Sequence, residues 1–419
     1  MKKIQEFEKD SITLFILLMG ANVCNYLFQI IMGKLMTVED YGVTNTLLGM
    51  IGILTIPTTI ITIICARYIA LYASMGNKDK IISVLGLLFR FVVLVGCVLL
   101  VAGIVGSESV TELLGLNSRG YILGVLCIAI VNLLFSVTSG TLQGLKMFFP
   151  YGIQTILVAA GKLFLSILLI TLGWRVYGVL FAIFSGTVIS ILYGMLHMRE
   201  HMRDVFHGKT EKAIDIREFC RYALLTIIAQ GCVIAITNGD VLLVKIYFSD
   251  AETGIYSSAA VIGKIAMYVS TAVVATLFPL VVEKNLNGED TFPLFKKSLF
   301  YGGGISAVCG LGMSILGKYV IGILFGERYY EAIQYLPYVC IFVVPLTFVT
   351  ILMNYVLAVN KVKRFGISMV LGLVGIIMFS MFIHKEISHL MLISGIILGG
   401  VFGINILWLF SERNVNCNN

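Results

Sequence analysis

Charge is what this sequence has least of. Asp, Glu, Lys and Arg together make up 13% of its 419 residues, against about 25% in a soluble domain. Hydrophobic residues reach 58%, and the mean hydropathy is +0.97. A water-soluble fold cannot hide that much apolar surface. The apolar runs are also unbroken, whereas the strands of an outer-membrane barrel alternate. No C-x-x-C pair occurs among the nine cysteines, eight of which lie in or beside apolar runs and read as small core residues. That excludes a visible disulfide framework or zinc site. No glycine-rich phosphate cradle is present. The longest outer connection, near 106–119, carries only Glu108, Glu112 and Arg119. That leaves little room for an active site outside the membrane, so a membrane enzyme is disfavoured.

What remains is a multi-span chain. A span takes about 20 apolar residues, and spans fall near 11–33, 42–66, 81–105, 120–142, 150–172, 176–196, 219–247, 254–282, 298–324, 333–358, 365–384 and 389–411. The charged stretch Met1–Asp10 leads into a run too long for a signal-peptide core, with no small-residue cleavage site, so it reads as a retained first span. The expected fold is an all-α integral membrane protein with about twelve transmembrane helices.

The formal net charge is +7. With the N-terminus inside, twenty Lys and Arg fall in cytoplasmic segments, seven in outer ones, and Arg90, Lys162 and Lys264 within spans. Lys245 counts with the outer group. This bias fits the positive-inside rule with both termini cytoplasmic, and it removes the need for a nucleic-acid partner.

One connection is longer than the rest. The basic segment 197–218 separates a six-helix half, 1–196, from a second half, 219–419. A short repeat marks both. Thr37-Val-Glu-Asp-Tyr-Gly-Val43 follows span one, and Ser249-Asp-Ala-Glu-Thr-Gly-Ile255 follows span seven. Asp40 matches Glu252, Gly42 matches Gly254 and Val43 matches Ile255 at one offset of 212. Two halves that both begin inside are parallel pseudo-repeats. The expected architecture therefore places substrate in a central cavity between them.

Ionisable groups within spans are costly and need a reason. Arg90, Lys162, Lys264 and Asp240 are the deep ones. Two readings stand: they pair with one another or with carbonyls, or they line a watery cavity. Three cations against one acid favour an anionic substrate such as a diphosphate, which Arg grips through its fork and Lys meets as a point charge. Asn22, Asn25 and Gln29 form one stripe of span one. These amides, with Asn132, Gln143 and Asn354, either meet sugar hydroxyls or tie helices together. Gly395, Gly399 and Gly403 read as a helix-packing ridge. Pro57 and Pro345 lie inside spans, as functional or as tolerated kinks. His197-Met-Arg-Glu-His201 matches the H-x-x-E-H zinc pattern but has no further ligands around it.

The stretch Asn238–Ser258 resembles spans seven and eight of the polysaccharide flippases of the multidrug/oligosaccharidyl-lipid/polysaccharide (MOP) exporter superfamily. Asp240, Lys245, Glu252, Gly254, Tyr256 and Ser257 carry the likeness, with Gly263-Lys264, Phe278-Pro279 and Glu39-Asp-Tyr-Gly42. The resemblance implies a monomeric exporter that moves a lipid-linked glycan of undecaprenyl-diphosphate type across the plasma membrane by alternating access. It implies no cofactor, leaves H⁺ or Na⁺ open as the coupling ion, and makes the lipid-linked glycan and membrane lipids the partners. The expected substrate-binding residues are Arg90, Lys162, Lys264, Asp240, Asn25 and Gln29. The competing functions are a cation-coupled multidrug exporter on the same fold and a membrane polysaccharide polymerase or ligase.

Overall fold

A computed structural model describes the backbone of residues 2–199, 216–286, 289–359 and 361–417. No strand occurs among them. The chain forms two compact units, Met1–Arg221 and Tyr222–Asn419. Of the basic segment 197–218, residues 200–215 lie outside the described residues.

The first unit contains α1 (Lys2–Leu35), α2 (Val38–Leu54), α3 (Ile56–Ser74), α4 (Lys78–Leu113), α5 (Arg119–Gly144), α6 (Phe148–Thr171) and α7 (Arg175–His197). Capping side chains set several of the starts. Thr37 accepts from the Asp40 amide at 3.2 Å, and Glu39 and Asp40 place negative charge in the first turn of α2. Between α3 and α4 the chain reverses in a few residues. Gly76 takes φ 67°, a left-handed value that closes α3, and the Asn77 amide bonds back to the Tyr72 carbonyl at 3.0 Å. The Asn77 side chain then caps α4 by accepting from the Lys80 amide at 3.0 Å.

The second predicted span, 42–66, is not a single helix. α2 and α3 meet at Thr55, which has φ −81° and ψ −3°. Pro57 stands in the first turn of α3. It has no N–H to give the Ile53 carbonyl, so the helical ladder cannot run through. The Thr55 hydroxyl donates instead to the Gly52 carbonyl at 2.6 Å.

Close backbone approaches hold this unit together. A Cβ on Gly140 of α5 would lie 2.7 Å from the Thr62 carbonyl oxygen and 2.6 Å from the Cys65 Cβ of α3. One on Gly144 would lie 2.9 Å from the Ala66 carbonyl oxygen. The Cys65 thiol lies 3.2 Å from the Thr141 hydroxyl in the same seam. Behind it, Ile61, Ile69, Val84, Leu85, Leu88, Leu133 and Val137 form a core across α3, α4 and α5. On the other side, α6 packs on α7. Gly161 and Gly186 approach so closely that a Cβ on either would lie 3.1 Å from the other helix's backbone. Ser190 donates to the Gln154 carbonyl at 2.7 Å, and the Gln154 amide donates to Thr138 at 2.6 Å.

The second unit contains α8 (Ile216–Tyr247, which starts just before it), α9 (Asp250–Leu286), α10 (Phe292–Ser298), α11 (Gly304–Leu324), α12 (Leu336–Ala358), α13 (Val362–Phe382) and α14 (Ile387–Cys417). A π-turn, Leu299–Gly303, joins α10 to α11, and a 3-10 segment, Glu327–Tyr335, leads into α12. The repeat motif has a physical role here too. The Ser249 amide and hydroxyl donate to the Glu252 carboxylate at 3.0 and 2.6 Å, and Ser249 accepts from the Glu252 amide at 3.3 Å. That is a reciprocal capping box. Both copies of the repeat are therefore helix-start signals. Pro345 lies within the unbroken α12.

Eleven helices among the described residues are long and apolar enough to cross a membrane. The remaining predicted span, 254–282, falls in α9, one helix of 37 residues. The predicted glycine ridge of α14 packs only in part. A Cβ on Gly395 would lie 2.4 Å from the Ile341 carbonyl oxygen, whereas Gly399 and Gly403 have nothing within 4 Å.

Candidate functional site

The predicted site residues divide into two clusters and one outlier. In the first unit, α6 presents Lys162 to α1. Its ammonium donates to Asn25 Oδ1 at 2.6 Å and stands 4.4 Å from the centre of the Phe28 ring. The Gly161–Gly186 approach, one residue away, fixes the backbone that carries this lysine. One turn along α1 from Asn25, Gln29 accepts from the Tyr41 hydroxyl at 3.3 Å. Helical spacing brings Asn25, Phe28 and Gln29 to one side of α1. Among the described residues no carboxylate lies within ion-pair distance of Lys162.

In the second unit, Asp240 of α8 is taken up on both oxygens. Lys264 of α9 donates to Oδ1 at 2.8 Å, and the buried Tyr256 hydroxyl donates to Oδ2 at 2.9 Å. That hydroxyl also lies 2.9 Å from the Met391 sulfur of α14. The cluster links three helices around one carboxylate. Lys245, counted with the outer group, lies in the last turn of α8. Its side chain is buried and pairs with Asp250 at the start of α9.

Arg90 joins neither cluster. Leu88 and Val92, two residues to either side, are buried, while Arg90, Leu87, Phe91 and Leu94 are exposed. At 100° per residue this turns Arg90 away from the core of α3, α4 and α5. The expected surplus of three cations over one acid therefore shrinks. Lys264 is paired with Asp240, Arg90 is exposed and turned from the core of its own unit, and among the described residues Lys162 meets an amide oxygen and a ring face.

The other polar candidates are mostly local. Gln143 donates to Ser139 at 3.4 Å, and Asn354 donates to the Thr350 carbonyl at 2.9 Å, each on its own helix. Asn22 is exposed. His197 Nδ1 lies 3.0 Å from the Tyr193 carbonyl oxygen, and His201 lies outside the described residues. No group of three or more His, Cys, Asp or Glu among the described residues is placed to hold a metal.

The family description for polysaccharide biosynthesis proteins matches residues 7–285, two thirds of the chain and both clusters apart from Met391. The chain belongs to that family. All six residues singled out from the sequence fall within the matched segment. No curated protein matches it in sequence. Among solved structures, the chain of this family resembles an inward-facing multidrug resistance MATE family transporter of the MOP superfamily. The TM-score is 0.68 at 13% identity, covering 94% of this chain and 95% of that one. An outward-facing MATE family transporter of the same superfamily gives 0.64 at 13% identity, over 98% and 97%. A MATE in complex with MaL6 gives 0.66 at 14% identity, over 98% and 97%. These likenesses establish the fold: an all-helical, multi-span fold like that of these MATE transporters.

Sequence reasoning missed Phe28, Met391 and the glycine pair Gly161 and Gly186. Tyr256 and Asp250 were visible only as parts of a motif. For the glycines a signal existed, because both sit in apolar spans where a missing side chain allows two backbones to meet.

Proposed function

We propose that this chain moves a lipid-linked oligosaccharide or polysaccharide precursor, of undecaprenyl-diphosphate type, across the plasma membrane by alternating access, with both termini cytoplasmic. The observation that carries the reading is Lys162. A cation inside a spanning helix costs about 2.5–3.5 kcal/mol to insert. Here Asn25 and Phe28 orient that cation without neutralising it. Such a group is suited to an anion that arrives and leaves, which fits a diphosphate. An exporter of organic cations would need the opposite sign. Membership of a polysaccharide biosynthesis family supports the glycan part, and the Asn25 and Gln29 amides offer hydrogen bonds to sugar hydroxyls.

The test is Lys162→Gln, which keeps much of the length and polarity and deletes the charge. A charge-assisted hydrogen bond contributes about 1.5–3 kcal/mol, so substrate affinity should fall about ten- to a hundred-fold. Surface glycan is measured against the amount of membrane-inserted protein. Insertion should hold or improve, because a buried charge has been removed. Wild-type glycan export by Lys162→Gln refutes the proposal. Unchanged glycan with altered drug resistance points to the multidrug reading instead.

A further inference from the structure

α4 changes character along its length. From Lys80 to Gly86 no side chain is exposed. From Leu87 to Val105 the side chains off the packed face are exposed and, Arg90 apart, apolar, including Leu87, Phe91, Leu94, Val98, Val101 and Val105. Those 18 steps along the helix rise about 27 Å, close to the ~30 Å hydrocarbon core of a bilayer. A polar network marks the far end of the band. Arg119 Nε donates to Ser107 at 2.6 Å, and its guanidinium lies 3.7 Å from the Glu108 carboxylate. At the near end stands Arg90, exposed and with no ion pair or hydrogen bond among the described residues. It falls within the first turn of the band. Side chains on a helix lean toward its N-terminus, so Arg90 leans toward the Lys78 end of the band.

We infer that Arg90 docks the phosphate of an anionic phospholipid, such as phosphatidylglycerol, in the leaflet at the Lys78 end of α4. The planar fork of the guanidinium matches a phosphate diester through two parallel hydrogen bonds. Leu87, Phe91 and Leu94 surround it with an apolar surface for the acyl chain. Charge complementarity selects an anionic lipid over a zwitterionic one, whose own cation competes for the phosphate. The bound lipid is a fixed partner of the transporter and not its cargo, so the inference stands apart from the proposed substrate.

The experiment uses full-length protein in nanodiscs of mixed phosphatidylglycerol and phosphatidylcholine, followed by native mass spectrometry of the lipids retained. Wild type should retain phosphatidylglycerol preferentially. Arg90→Gln should lose one such lipid, with an affinity drop of about tenfold, and Arg90→Lys, without the fork, should fall between. Glycan export by Arg90→Gln should stay near wild type. Unchanged phosphatidylglycerol retention in Arg90→Gln overturns the inference. Retained lipid with lost export overturns it too and returns Arg90 to the substrate path. A photoreactive phosphatidylglycerol gives a check on the wild type alone: crosslinks should map to the peptide carrying residues 87–94, and a map elsewhere refutes the site.

Discussion

Lys264→Gln strands a carboxylate inside the membrane. The Asp240 side chain is 1% exposed and that of Lys264 is 13% exposed. With the ammonium gone, Oδ2 keeps the Tyr256 hydroxyl, while Oδ1 loses the charge that faced it. Breaking a buried pair by removing one partner costs about 3–5 kcal/mol. At about 2–4 °C per kcal/mol for a unit of this size, the melting temperature should fall by about 6–20 °C. Asp240→Asn strands the ammonium and should cost a similar amount. The double variant Asp240→Asn, Lys264→Gln removes both charges and leaves two amides able to bond each other, which is close to neutral for a buried pair. It should therefore melt well above either single variant. The assay is thermal unfolding of purified protein in detergent, read beside the level of protein in the membrane. The alternative has Lys264 gripping substrate phosphate directly. Lys264→Gln would then melt with wild type and lose export, and adding Asp240→Asn would recover nothing. That pattern refutes the pairing argument.

Two further outcomes follow from packing and topology. Gly140→Ala drives a methyl against the Thr62 carbonyl and Cys65 and should cost about 1–3 kcal/mol, whereas Gly399→Ala meets nothing within 4 Å and should hold or raise the melting temperature. If the segment 197–218 is cytoplasmic, Lys209→Cys in a cysteine-depleted background should react with an impermeant maleimide only after the cells are opened. Labelling of intact cells would overturn the orientation.

The spans were legible because membrane helices announce themselves by length and hydropathy, and the repeat was legible because Thr37 and Ser249 cap helices by the same chemistry. Partners across helices were not. Asp240 and Lys264 are 24 residues apart on different helices, and no periodicity in either one states that they meet. The burial of Lys245 was hidden because its partner, Asp250, lies across a turn, on the next helix. The exposure of Arg90 was hidden for another reason. Over 87–105 α4 is apolar on every side except at Arg90 itself, so its neighbours do not distinguish the face of Leu88 and Val92 from the face of Leu87 and Leu94. A helix without an amphipathic stripe cannot be phased from its own residues. The glycines teach the same limit. Gly140 and Gly144 have the spacing of the ridge expected at Gly395, Gly399 and Gly403, yet both of them meet a neighbouring backbone where only Gly395 of the ridge does, because packing depends on the neighbour as much as on the gap.

The break at Thr55 has a mechanical corollary. α3 is riveted to α5 along Gly140 and Gly144, whereas α2 begins beyond the rivets, on the other side of a residue where the hydrogen-bond ladder is already interrupted. Pro57 leaves the Ile53 carbonyl without its helical donor, while the Thr55 amide still bonds the Ile51 carbonyl and the Thr58 and Thr59 amides turn to the Thr55 carbonyl. A tilt of α2 against its own packing would therefore concentrate at Thr55 and spare the α3–α5 seam at Gly140 and Gly144. In an unbroken helix the same tilt would have to tear the α3–α5 seam or spread strain along the full length of the span.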